Sequence, residues 1–342
     1  MGTFIRLALR RTLNQIRHVA RVRPGRGGDL VVGVHRQVET DFGLLAPIAL
    51  HTSAPAALAA SWLMLRESLV AAGLVARSTK EAVAVGVSDR NRCPYCVEVH
   101  SATLAALTDV RSELDPVAEW ARTGGGETAP FTCDEAPEHI GTAVAFHYLN
   151  RMASVFLTDS PLPPGLPDGA RQVLGRAMRP HAGQAHRPGR ALEFLPAAEP
   201  AADLGWAASN PVLSDAFARA YQAIDSLAVR MVPADVRAVV TDALDAWDGT
   251  PVGLSRAWAY DQAAALPHES FAAGVLALLT AKAPYQVDDT IVNDFRRGRP
   301  DAELVALTAW AALAAARRLG PGRARVPHAG NAECACSAHQ PL

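Results

Sequence analysis

Two cysteines, a histidine and a glutamate carry the chemistry this sequence can offer. Cys93 and Cys96 stand in the stretch DRNRCPYCVEVH, residues 89–100; His100 follows Cys96 by four positions, and Glu81 precedes Cys93 by twelve. Thiols at C-x-x-C spacing can close a disulfide across about one turn of helix. With Pro94 at the first helical position, Cys93 becomes the N-cap, at the positive end of the helix dipole, where a thiolate is favoured. His100 falls on the same helix face as Cys96 and could take its proton or hold its thiolate. If the preceding helix packs antiparallel to this one, the Glu81 carboxylate reaches His100 and sets its tautomer. Such a cluster suits reduction of a peroxide or a disulfide. A thiolate attacks, a sulfenic acid forms, the second thiol closes a disulfide, and an external dithiol reopens it.

The elements that must position these groups read as helices. Leu58, Trp62, Leu65 and Leu69 form an apolar face opening just after Pro55. A second helix is expected from Ser78-Thr79, with Thr79 as its cap, through Ala82–Val87, although AVAVGV has the composition of a strand as well. The helical pattern resumes over His100–Leu107, breaks at Gly124–Gly126, and returns over Glu138–Phe156 with Ile140, Val144 and Tyr148. The fold class expected is all-α.

The chain divides by composition. Residues 1–28 are rich in arginine, hold no acid, and place Ile5, Leu9, Leu13, Ile16 and Ala20 at helical spacing. A basic amphipathic arm is expected, docked on its own protein or a neighbouring subunit; contact with a membrane surface or a transit role is less favoured. Residues 29–158 hold the thiols, and 159–206, rich in Pro and Gly, read as a linker. Residues 207–320 echo the first half: a shift of 156 puts Pro55 on Pro211 and Ala82-Val83 on Ala238-Val239. The same shift puts Cys93 on Gly249, Cys96 on Val252, His100 on Arg256 and Glu81 on Arg237. A tandem copy without reactive groups is therefore expected, acting as scaffold or lid. Residues 321–342 read as a disordered tail with incidental thiols, Cys334 and Cys336 near His328 and His339; passing electrons to the C-x-x-C pair or collecting a metal is the alternative.

A net charge of −1 gives no reason to expect nucleic acid, and the basic residues are nearly all arginine, Lys80 and Lys282 being the only lysines. Five cysteines are too few for a secreted disulfide framework. No apolar run approaches the roughly 18–20 residues of a membrane span. A cytoplasmic protein is expected.

The set Glu81, Cys93, Cys96 and His100 matches, at every position, the signature Glu, eleven residues, Cys-x-x-Cys, three residues, His. In this the chain resembles the alkylhydroperoxidase D-like branch of the carboxymuconolactone decarboxylase superfamily. The resemblance runs from about Val38 to Phe156, including the Pro55–Leu69 helix and the Asn150-Arg151 pair, and more weakly over 207–320. It implies an all-α homo-oligomer that reduces small hydroperoxides without a bound cofactor or metal, drawing on a dithiol or lipoyl-type electron donor. It also implies that Cys96 attacks peroxide, activated by His100 and Glu81, while Cys93 resolves. One departure is that Tyr95 stands where family members carry a second histidine.

CPYC alone would also suit a glutaredoxin, but some 80 residues of helical pattern precede it, and no cis-proline strand or Gly-Gly turn follows. Zinc would find three ligands crowded on one helical turn and needs four. Lactone decarboxylation uses acid–base residues and no thiol pair. A module whose disulfide only signals remains the non-enzymatic alternative. Cys133 is isolated and reads as a bystander. His35, His51, His139, His147 and His268 lack ligand spacing and read as structural or surface residues, and Trp247 and Asp248 as packing.

Overall fold

Prolines at first positions mark where several of the long helices begin. The computed structural model describes residues 10, 12–20, 22–109, 112–125, 128–162 and 169–320. Helix α1 (Asp29–Asp41) leads to α2 (Pro55–Leu65), which runs on through a π turn over Arg66–Val70. Then come α3 (Arg77–Arg90), α4 (Pro94–Leu107), α5 (Asp115–Thr123) and the 21-residue α6 (Ala136–Phe156). Among the described residues there is no strand, and the bridge between Ala71 and His186 is an isolated one. The all-α expectation holds, and the AVAVGV stretch lies inside α3. That helix starts earlier than Thr79 suggests: its N-cap is Ala76, whose side chain has nothing to offer the first amides.

Helices α3 and α4 are joined by only Asn91, Arg92 and Cys93, so they must fold back on each other. The reversal costs Arg92 a left-handed backbone, φ 53°, while the Cys93 amide closes the turn onto the Ser88 carbonyl at 3.0 Å. Helix α5 braces α3 from the other side. Gly86 permits this approach, because a Cβ there would lie 2.2 Å from the Ala118 carbonyl oxygen. Gly86→Ala should therefore destabilise the protein by about 1–3 kcal/mol despite alanine's better helix propensity, as a lower denaturant midpoint would show.

Residues 159–206 are more structured than a linker. They contain α7 (Ala170–Ala182), whose buried Leu174, Met178 and Ala182 repeat every four residues. Gly175 brings α7 so close to α4 that a Cβ would meet the Ala102 carbonyl oxygen at 2.4 Å. The later part of the segment is pinned by the buried Glu67 carboxylate, which accepts from the amides of Gly189 (2.7 Å) and Ala191 (3.1 Å).

The C-terminal half supplies α8 (Pro211–Met231), α9 (Ala234–Asp245), α10 (Ala257–Ala263), α11 (His268–Lys282), α12 (Asp289–Arg296) and α13 (Asp301–Leu319). Displaced by 156 residues, α2 and α3 land on the starts of α8 and α9 to within one residue. The thiol-bearing helix has no full counterpart: only Ala257–Ala263 is helical where residues 250–263 would correspond. Helix α8 packs on α2, and α13 on α6, so one apolar core runs through both halves.

In the N-terminal arm Arg10 is helical, Thr12–Gln15 forms a 3-10 turn and His18 takes a left-handed φ of 66°, so residues 12–20 do not form an α-helix, while most of the expected helix lies outside the described residues. The arm's polar groups are met by the body of the protein. The Arg17 amide donates to the Phe156 carbonyl at 2.8 Å, and the Gln15 side chain to the Ser160 carbonyl at 3.1 Å. Residues 1–9 and the cysteine-bearing tail from 321 lie outside the described residues. No helix among those described is long and apolar enough to cross a membrane.

Candidate active site

The tight α3–α4 reversal pairs Glu81 with His100, and the start of α4 sets the two cysteines against each other. Cys93 is the N-cap of α4 in extended conformation, with Pro94 at its first position. Glu81, two and a half turns back along α3, faces His100 on α4, with Nδ1 and Oε2 2.6 Å apart. Glu81 is fully buried, and burial alone would raise its pKa. The charges and hydrogen bonds of Arg77 and His100 more than offset this, so the carboxyl is held below its ordinary range. An ionised carboxylate only accepts, so His100 Nδ1 is the protonated nitrogen and Nε2 carries the lone pair when the ring is neutral. The ring is fixed edge-on by Phe146 (centroids 4.6 Å) and stacked by Phe42 (6.4 Å).

Both thiols are buried, free of disulfide, and in contact with each other. They are not equivalent. Burial pushes Cys93 up, but the Cys96 thiol, the Cys96 backbone amide and the Ser154 hydroxyl pull it down further, leaving it below the ordinary thiol range. Cys96 is raised well above that range, first by the hydrogen bond its S–H donates to the Cys93 sulfur and then by burial. The hydrogen bonds of His100 go to Glu81, and none reaches a sulfur. Tyr95, at the position of the family's second histidine, is buried with its hydroxyl unpartnered and its ionisation suppressed, first by burial.

Several residues that spacing did not reveal complete the setting. Arg77 donates to Glu81 Oε1 at 2.8 Å, an i,i+4 pair that an acid–base search along the helix would have found. From α6, Asn150 reaches Cys96 and donates to Ser88 Oγ at 3.1 Å, while its carbonyl accepts from the Asn91 amide at 2.9 Å. Arg151 is fully buried and, among the described residues, has no carboxylate partner. It donates to the Asn91 side chain (3.2 Å), the His147 carbonyl (2.7 Å) and the Ala281 carbonyl of α11 (2.8 Å). Burial, with the charge of Arg90 adding to it, lowers Arg151 to about 9.

A cavity of about 510 Å³ opens beside this cluster. Cys93 lines it; Cys96, His100 and Glu81 do not. The wall on the thiol side comes from Pro94 and Tyr95 and, on α6, from Ala153 and Ser154. The facing wall comes from the C-terminal half, Tyr285 and Val287 through Thr290, with Arg17 of the N-terminal arm at the side. The Arg92 guanidinium lies 5.1 Å over the Tyr285 ring and joins the two walls.

The remaining candidates lie apart. Cys133 is half-buried and in no disulfide. His35, His51, His139 and His147 are buried and held neutral by burial, the first three at about 4 and His147 well below its ordinary value, so their place is in the packing. His51 accepts or donates to the Tyr148 hydroxyl at 2.9 Å. Trp247 and Trp258 flank Lys282 at 5.6 and 5.2 Å. Among the described residues, no group of three or more His, Cys, Asp or Glu is disposed to hold a metal. Cys334 and Cys336, with His328 and His339, fall outside the described residues.

Comparison with known proteins agrees with this architecture. Residues 56–130 match the carboxymuconolactone decarboxylase family, a span that covers α2 through α5 and all four motif residues. A Mycobacterium tuberculosis protein named alkyl hydroperoxide reductase Rv2159c is 35% identical over 328 residues, covering 89% of this chain and 94% of that protein. No solved structure matches. With a motif kept at every position, a fold built only of helices and a relative aligned along nearly its whole length, the chain belongs to the carboxymuconolactone decarboxylase family, among its alkylhydroperoxidase D-like members.

Proposed function

We propose that this protein is a thiol-dependent alkyl hydroperoxide reductase, working through the Cys93–Cys96 pair with His100 and Glu81 handling protons. The observation that carries this reading is a pair of free, touching thiols on the helix whose His100 is held by Glu81, with Cys93 on the wall of a cavity. The printed name of the mycobacterial relative supports it. One sulfur, as thiolate, attacks the outer peroxide oxygen. The O–O bond breaks, the sulfur is oxidised by two electrons to a sulfenic acid, and the alkoxide leaves as alcohol after taking a proton. The second thiol then attacks that sulfur; the S–S bond forms, the S–O bond breaks, and water departs. An external dithiol, oxidised in turn to its own disulfide, restores both thiols. His100 Nε2, aimed by Glu81, is the group suited to receive and return the proton of Cys96 four residues away. Decarboxylation of a lactone would leave both thiols without a use.

We read the C-terminal half as a degenerate copy serving as the cavity's cover, and the chain as a cytoplasmic homo-oligomer. The test of the function is direct. Purified protein supplied with cumene hydroperoxide and dihydrolipoamide should consume many equivalents, and one equivalent without reductant should leave Cys93 and Cys96 disulfide-linked in the mass spectrum. A disulfide that forms without catalytic consumption would mark a sensing module instead.

A further inference from the structure

The cavity beside the thiols takes its far wall from the C-terminal half, and one side chain there is held from two directions. We propose that Tyr285 is a specificity-determining residue: its ring, clamped by Arg92, receives the hydrocarbon body of an organic hydroperoxide whose O–O group has reached the thiol pair. This rests on the peroxidase reading above and deepens it, naming what tells an organic hydroperoxide from hydrogen peroxide at this site.

Arg92 and Pro94 are exposed and Tyr285 is half-buried, so they mark the mouth of the cavity. Cys93, Ala153, Leu157 and Val287, all buried, form its inner part. A hydroperoxide must bring its oxygens inward to a sulfur, which leaves its hydrocarbon end trailing toward the mouth. There it meets the Tyr285 ring, with the apolar Leu157 and Val287 further in. Aromatic and aliphatic carbons are what a cumyl group packs against, and hydrogen peroxide carries no such group.

The ring is firmly set. Its hydroxyl donates to the Gly253 carbonyl at 2.8 Å, and the neighbouring Gln286 side-chain amide donates to the same oxygen at 2.7 Å. The Arg92 guanidinium covers one face, 5.1 Å from the centroid. Arg92 also stands in a conformation, φ 53°, that glycine takes freely and arginine takes at a cost. What arginine offers in return is its guanidinium, and that lies on Tyr285.

The supports of this wall come from a telling place in the second half. Displaced by 156 residues, Gly253 and Arg256 fall on Val97 and His100 of the thiol helix. In place of reactive groups, this stretch holds the wall: Gly253 through Tyr285 and Gln286, and Arg256 through Asp288 at 2.7 Å. The first half does the chemistry, and the second supports the surface that selects the substrate.

The experiment uses the full chain with saturating dihydrolipoamide. The quantity read is the ratio of kcat/KM for cumene hydroperoxide to kcat/KM for hydrogen peroxide. Tyr285→Ala should lower this ratio about 10-fold, mainly through a higher KM for cumene hydroperoxide, the worth of one lost aromatic contact. Tyr285→Phe, which keeps the ring, should keep the ratio. Arg92→Gly removes the clamp while easing the turn, and should lower the ratio about 3-fold. An unchanged or raised ratio in Tyr285→Ala, or an equal loss in Tyr285→Phe, would overturn the assignment, and an unchanged ratio in Arg92→Gly would remove the clamp. Should Tyr285→Ala not fold, Arg92→Gly carries the test alone, and an unchanged ratio there overturns the whole. Failure of the peroxidase reading looks different: wild-type protein would consume neither peroxide, and the substrate role of Tyr285 would fall with it.

Discussion

Serine in place of either Cys93 or Cys96 should lower steady-state hydroperoxide reduction by at least about 10³-fold, because nucleophile and resolver act as a unit and loss of one removes the cycle. The two variants should fail at different stages. The variant that keeps the attacking thiol should complete one turnover and stop at a sulfenic acid, measurable as one equivalent of cumyl alcohol in rapid-quench analysis, and the variant that lacks it should consume none. A hydroxyl is smaller and more polar than the thiol it replaces, so each variant should lose about 1–2 kcal/mol of stability yet stay folded at assay temperature. Steady-state rates in both variants within a few-fold of wild type would remove the thiol mechanism altogether.

Glu81→Gln should reduce turnover by about 10²-fold or more, the usual worth of a proton-transferring group, and should also weaken the fold. Glutamine keeps the shape of the side chain but not the charge that Arg77 and His100 share. Taking the anion out of this buried trio leaves Arg77 facing a neutral amide, at a cost of about 3 kcal/mol. The pH dependence follows from the direction of the Glu81 shift. Its folded-state pKa lies below the unfolded value, so the stabilisation is fully present above the ordinary carboxylate range and is lost as pH falls through the folded value. Denaturant midpoints of wild type and Glu81→Gln should therefore stand apart at pH 7 and draw together on acidification. A constant gap from pH 7 to pH 3 would mean that Glu81 is not the ionised partner.

How much of this could be read from residue order depends on how local each contact is. Glu81 and His100 are 19 positions apart but joined by two helices and a three-residue turn, so fixed spacing translates into fixed geometry. The N-cap place of Cys93 is equally local, being set by Pro94. Asn150 and Ser154 come from a helix beginning some forty residues after the motif, and no spacing rule points from them to a sulfur. Tyr285 lies further still. Over residues 12–20 the arm is not α-helical, because apolar residues at helical intervals do not by themselves make a helix. His18 turns left-handed, and the arm's amide at Arg17 and side chain at Gln15 find acceptors near the end of α6. Helix α7 was hidden for the opposite reason: Pro180 and the surrounding Pro- and Gly-rich stretches masked the apolar repeat at Leu174, Met178 and Ala182. The assignment of roles to the two sulfurs came with the family pattern, whereas burial and access are properties of the folded chain.

The wall that faces Cys93 is covalently continuous with the helices that carry the thiols, since Tyr285 and Val287 through Thr290 belong to the same polypeptide. Mass action therefore has no hold on that part of the reaction chamber. Specific activity should stay level as the enzyme is diluted from micromolar to nanomolar, even across the point where any self-association comes apart.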